Sequence, residues 1–135
     1  MASSEHEKNW QKTLRQLHGG EPKNEFFDRV EKICPDWVKM TREHLFGDIW
    51  SRPALGLRER SMITIACLVM HGFDHAGLKV QLGFALNLGI TREEIFEIIM
   101  HVTHYGGWPT GANAMHVAMD FFDSKDQSME KEDER

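Results

Sequence analysis

Helical periodicity, started and stopped by identifiable residues, constrains this chain more than any other feature. Thr91-Arg92-Glu93-Glu94 has the form of a capping box, in which the Thr hydroxyl and the Glu carboxylate each satisfy an orphan amide of a first helical turn. Ile95, Ile98, Ile99 and Val102 then recur on one face of the helix it opens. The same grammar extends along the chain. Asn24 caps a segment carrying Phe26, Phe27, Val30 and Ile33, and a further helix from Asp36 is stopped by Arg52-Pro53. Arg58 to His71 is apolar nearly all round, which predicts a central, buried helix. Asp74 opens another that closes at Gly89, and after the break at Gly106-Gly107-Trp108-Pro109 a last helix runs from about Thr110 to Phe122. Strict apolar/polar alternation between turn signals is not found, so the expected class is all-α.

The two ends read differently. Residues 1–23 form a polar arm, and residues 124–135, SKDQSMEKEDER, are charged and nearly free of apolar side chains, a tail expected to stay disordered. Between them, residues 24–123 make one helical domain. Two features of that domain favour self-association. Phe96 and Met100 lie roughly 100 to 140 degrees from the Ile95 stripe, so one core does not easily cover both. In the last helix Gly111, Ala114 and Ala118 form a small-residue line beside Met115, Met119 and Phe122.

Charge and cysteine content narrow the function classes. Sixteen Lys+Arg against 21 Asp+Glu leave a formal charge of −5, so neither nucleic acid nor an anionic membrane surface is an expected partner. The longest apolar stretch, Met62 to Met70, is too short to span a bilayer, and the polar N-terminus lacks a signal-peptide run; a cytoplasmic location is expected. Cys34 and Cys67 lack CxxC spacing, which argues against a disulfide framework and a thiolate zinc site. Cys67, inside an apolar run, reads as core, and neither it nor Lys79 has an activating base nearby in sequence. Gly106-Gly107 lacks the spacing and preceding strand of a phosphate loop.

Histidines carry the remaining chemistry. Of eight, His6 and His18 fall in the polar arm and need only solvation, and His44 reads as a surface or interface group. His71, His75, His101, His104 and His116 lie in or beside the most apolar segments, where an imidazole can pass a proton or simply satisfy a neighbour. His101 and His104, at i and i+3, present two nitrogens without a third ligand, so no metal is expected.

Three pieces in order add a resemblance: Arg60-Ser61-Met62-Ile63-Thr64-Ile65-Ala66, then Gly83-Phe84-Ala85-Leu86-Asn87-Leu88-Gly89-Ile90 running into Thr91-Arg92-Glu93-Glu94-Ile95, then His101-Val102-Thr103-His104-Tyr105-Gly106-Gly107-Trp108-Pro109 with Asn113-Ala114 following. Over Leu57 to Phe122, and more weakly back to about Phe26, the chain resembles the carboxymuconolactone decarboxylase family. The resemblance implies an alkylhydroperoxidase-D-like all-α fold assembled as a homohexamer of paired subunits, a trimer of dimers. Thiol peroxidases of that superfamily need a CxxC, a following His and an upstream Glu. Asp74, Gly77, Gln81 and Ser61 stand near those places, so peroxidase chemistry lacks its thiolates here.

The resemblance implies a cofactor-independent decarboxylase acting on a small cyclic carboxylated lactone or related carbon acid. Such a reaction needs an enolate-stabilising site, dry walls and a proton donor. Tyr105, Gln81 and Arg60 are the candidate donors, Arg60 also for the substrate carboxylate, and Phe84, Trp108, Met62 and Met70 the candidate walls. Proton delivery falls to His75 or His101 first and His104 or His116 next, because glutamine at position 81 does not exchange a proton near neutral pH. Helical spacing places the pocket between the Gln81 helix and the His101 helix. The same proton-transfer site would serve an isomerase, dehydratase or cyclase, and a non-catalytic binding or assembly subunit is the alternative from another class.

Overall fold

The structure, a computed structural model, describes residues 2–135, with side chains from residue 5 onward. Among the described residues the secondary structure is helical throughout: α1 (Ala2–His18), α2 (Glu25–Ile33), α3 (Pro35–Met40) continuing as a π-helical stretch (Thr41–Ile49), α4 (Leu57–His71), α5 (His75–Asn87), α6 (Arg92–Gly106) and α7 (Trp108–Asp133). The chain divides into two compact units, Met1–Arg60 and Ser61–Arg135, the division falling inside α4.

The sequence's start signals act as hydrogen bonds. Asn24 Oδ1 accepts from Phe27 N at 3.2 Å, and Asp74 Oδ1 accepts from Gly77 N at 2.9 Å. At α6 the box is reciprocal: Glu94 N donates to Thr91 Oγ1 at 3.1 Å and Thr91 N to Glu94 Oε1 at 3.0 Å. Gly107, at φ +100°, makes the turn from α6 into α7, a conformation that a Cβ disfavours.

In the N-terminal unit the polar arm is helix α1, packed on the π-helical stretch. Trp10, Leu14 and Leu17 recur at i, i+4 and i+7; Leu14 and Leu17 are buried together with Thr13, so burial of this stripe offsets the ordering entropy of an otherwise polar segment. In the C-terminal unit Ile65 and Val69 of α4, Leu78, Leu82 and Ala85 of α5, Ile95, Ile99 and Val102 of α6 and Val117 and Phe122 of α7 form one core. Each of these Val, Leu, Ile and Phe side chains contributes about 1.5–3 kcal/mol of burial.

Helices α6 and α7 run antiparallel. Near one end Arg92 forks onto Asp126, with N–O distances of 3.1 and 2.5 Å, and its guanidinium lies over the Phe122 ring. Phe96 and Phe122 meet at 5.6 Å between ring centroids. Near the other end the helices approach so closely that a Cβ on Gly111 would collide with Thr103 Oγ1.

Four expectations change. The line Gly111, Ala114, Ala118 is buried within its own unit, because it allows this α6–α7 approach, and Phe96 is covered by Phe122. Helix α4 buries only Ser61, Ile65 and Val69; Ile63, Met70 and Cys67 are exposed in the single chain, so Cys67 is not core. The tail continues α7 to Asp133, since an established helix adds one hydrogen bond per residue without paying nucleation again. Finally, the α5 stripe packs on α7, which leaves α4 rather than α5 to border the exposed face of α6.

Candidate functional site

Once the capping box sets the register of α6 and Ile95, Ile99 and Val102 turn inward, positions 94, 97, 101 and 104 fall on a neighbouring face by their 3-4-3 spacing. Glu94, Glu97, His101 and His104 there border an open groove of about 710 Å³, closed on its other side by Met62, Ile63 and Ala66 of α4. No Lys or Arg lines this groove. Its polar groups are two carboxylates, one of them engaged in the capping box, and two imidazoles.

His104 is the best-defined of these groups. Its Nδ1 lies 2.8 Å from Met100 O, and a carbonyl only accepts, so Nδ1 carries the proton and Nε2 is the atom left to exchange one. Its ring also lies 5.9 Å from that of Trp108. A second groove, about 410 Å³, runs along α6 and α7 past Thr103, Trp108, Gly111, Met115 and His116, and it shares Met100 and His104 with the first. The Thr103 hydroxyl on its floor donates to Ile99 O at 2.7 Å and is committed there. His104 is therefore the junction of two grooves, one bringing His101 and the other His116.

The remaining candidates are dispersed. His75, first residue of α5, borders a crevice of only about 10 Å³, no larger than the roughly 10–15 Å³ that one water needs. Tyr105 is 78% exposed, its ring 5.2 Å from that of His101, and lines neither groove; Trp108 is 73% exposed. Gln81 and Phe84 sit on α5 outside both grooves: Phe84 is buried, and Gln81 Oε1 is buried without a hydrogen-bond partner among the described residues. Arg60 belongs to the N-terminal unit, where its Nη2 donates to Arg52 O at 3.4 Å. A pocket between the Gln81 and His101 helices is thus replaced by one between α4 and α6.

Glu97 is the polar groove residue that sequence reasoning passed over. The signal was present, since Glu97 and His101 are an i, i+4 pair, but a search for histidines alone does not register it. Among the described residues no three of His, Cys, Asp and Glu gather as a metal site requires.

A sequence model of the carboxymuconolactone decarboxylase family matches residues 35–120. The chain belongs to that family. It is 32% identical over 99 residues to 4-carboxymuconolactone decarboxylase of Acinetobacter baylyi, covering 73% of each chain. It is 28% identical over 109 residues to an uncharacterized 15.0 kDa protein of Paracoccus denitrificans, 78% of this chain and 81% of that one. A third relative, the nitrosuccinic acid decarboxylase of Metarhizium robertsii, is 31% identical over 80 residues, 58% of this chain and 54% of the other. The family match spans α3 through the first half of α7, and so includes every residue of both grooves. No helix among the described residues is long and apolar enough to cross a membrane.

Proposed function

We propose that this carboxymuconolactone decarboxylase family member is a carboxy-lyase that removes carbon dioxide from a small carboxylated carbon acid without a cofactor, using His104 as its proton donor. The observation that carries the reading is the Met100 O contact, which leaves His104 Nε2 as the exchanging atom where the two grooves join. Two relatives named as decarboxylases support the reaction type.

Decarboxylation breaks the bond to the carboxylate carbon and leaves its electron pair on the α-carbon, delocalised as an enolate onto a substrate carbonyl or an equivalent acceptor. Protonated His104 then delivers its Nε2 proton to that carbon and regains one from water. A groove without Lys or Arg suits the first step. Glu97 repels the bound carboxylate, and because the negative charge stays behind as the enolate when carbon dioxide leaves, that repulsion eases only to the extent that the charge moves onto a substrate oxygen farther from Glu97. Met62, Ile63, Ala66 and Ile98 supply apolar walls. His101 and His116 flank His104 as secondary proton carriers.

In the single chain the site lies open, and enclosure falls to a second copy covering the exposed residues of α4, α6 and α7 in a homo-oligomer. A dry site strengthens every electrostatic interaction within it and protects the enolate from adventitious protonation. The test is incubation with a panel of small carboxylic acids that includes 4-carboxymuconolactone and nitrosuccinic acid, scoring carbon dioxide release and, in deuterium oxide, label at the α-carbon. Carbon dioxide release with one deuterium per turnover is the predicted result. Deuterium exchange without carbon loss would instead identify an isomerase-type enzyme, and inactivity toward the whole panel with no exchange would favour a binding subunit.

A further inference from the structure

The N-terminal unit contains a cavity that the proposed reaction does not use. Its volume is about 250 Å³, well above the roughly 10–15 Å³ that one water needs. One face of α1 supplies Asn9, Lys12, Thr13 and Gln16, and the turn after the π-helical stretch supplies Trp50, Ser51 and Arg52. In a chain with 21 acidic and 16 basic residues, this lining holds two cations and no acid.

Each polar group can be accounted for. Ser51 Oγ donates to Phe46 O at 2.7 Å, which uses its single proton, so in the 3.0 Å contact with Thr13 Oγ1 the threonine is the donor. Both hydroxyls are thereby fixed, and Thr13 and Trp50 are buried beneath the cavity. Arg52 Nε is held by Asp48 Oδ1 at 3.1 Å, which compensates its charge, and Arg52 O accepts from Arg60 Nη2 at 3.4 Å. Lys12 is different. Its helical neighbours at i±3 and i±4 are Lys8, Asn9, Arg15 and Gln16, so α1 offers it no carboxylate. The cavity therefore presents an ammonium and two carboxamides, each able to donate hydrogen bonds through its nitrogen, above a fixed apolar and hydroxyl floor.

We propose that this cavity binds a small multivalent oxyanion, a polycarboxylate or phosphate, with Lys12 as its charged anchor and Asn9 and Gln16 as amide donors. Complementarity of this kind, a formed concavity with a few converging donors and a net positive lining, is what oxyanion recognition requires.

Isothermal titration of the full chain with citrate and, separately, with inorganic phosphate tests it, sodium chloride at matched ionic strength serving as the control. Saturable one-to-one binding of either anion is expected, and the tighter of the two identifies the oxyanion type. Lys12→Gln should weaken it about tenfold, the loss of one charged hydrogen bond. Gln16→Glu, which places a carboxylate on the lining, should abolish it. Both positions are exposed, and unchanged far-UV circular dichroism checks that the variants stay folded. Absence of saturable binding of both anions, or undiminished affinity in folded Lys12→Gln and Gln16→Glu, overturns the proposal.

Discussion

Two histidines show how much depends on what a ring touches. Burial of His18 at the end of α1 holds its imidazole below the ordinary value of 6.5, because the charged form loses hydration there. An arm histidine explained by solvation alone is thus replaced by a half-buried one. As pH falls, the unfolded chain takes up this proton before the folded chain does; the stability present above pH 6.5 is lost as pH falls toward and through the lowered value. Urea midpoints measured at about pH 7.5 and about pH 5.5 should therefore differ less in His18→Gln than in the parent protein. Equal pH dependence in the two proteins would show that His18 is not the group responsible. His104 is the opposite case, an exposed ring whose proposed role rests on one carbonyl contact. Spacing alone does not reveal such a contact, which is why the sequence puts His75 and His101 ahead of His104 and His116.

At the level of helices, the α6–α7 pair is held by a close approach that a single methyl would spoil. Gly111→Ala drives a Cβ into Thr103 Oγ1, whose hydroxyl is already committed to Ile99 O. The expected cost is about 1–3 kcal/mol, as for overpacking elsewhere, read as a lower urea midpoint. A variant as stable as the parent would mean that the helices separate without penalty. What the sequence discloses at this level is the start and stop of each helix, because Thr91, Asn24 and Asp74 cap through local hydrogen bonds that neighbouring residues determine. Less legible is which face each helix turns inward. Gly111, Ala114 and Ala118 look like a contact for another subunit until α6 is found against them. Likewise α4 looks wholly buried because its apolar residues surround it, whereas one chain has core enough only for the Ile65 and Val69 side. Helix α1 could have been found from Trp10, Leu14 and Leu17, whose spacing is helical but whose polar neighbours mask it.

Considered as a whole, the C-terminal unit leaves Ile63, Met70, Met100, Tyr105, Trp108 and Met119 exposed, at 46% or more of each side chain's residue surface. Ile63 and Met100 border the first groove and Met100 and Trp108 the second, and adjoining apolar surface of this kind on a folded chain marks an interaction face. We expect light scattering to give a mass that is a multiple of 15.6 kDa, and Met119→Glu, at a position outside both grooves, to shift the protein toward smaller species with helicity unchanged. A parent protein that is monomeric at micromolar concentration would remove the second copy from the proposal and leave the groove open. The most direct test of the proposed chemistry compares His104→Gln with His75→Gln in the carbon dioxide release assay. His104→Gln is expected to lose kcat by about 10²- to 10⁴-fold, the range for a general acid, while His75→Gln stays close to the parent. If His104→Gln keeps kcat within about threefold, or the two variants fall together, the assignment of proton delivery to His104 is contradicted.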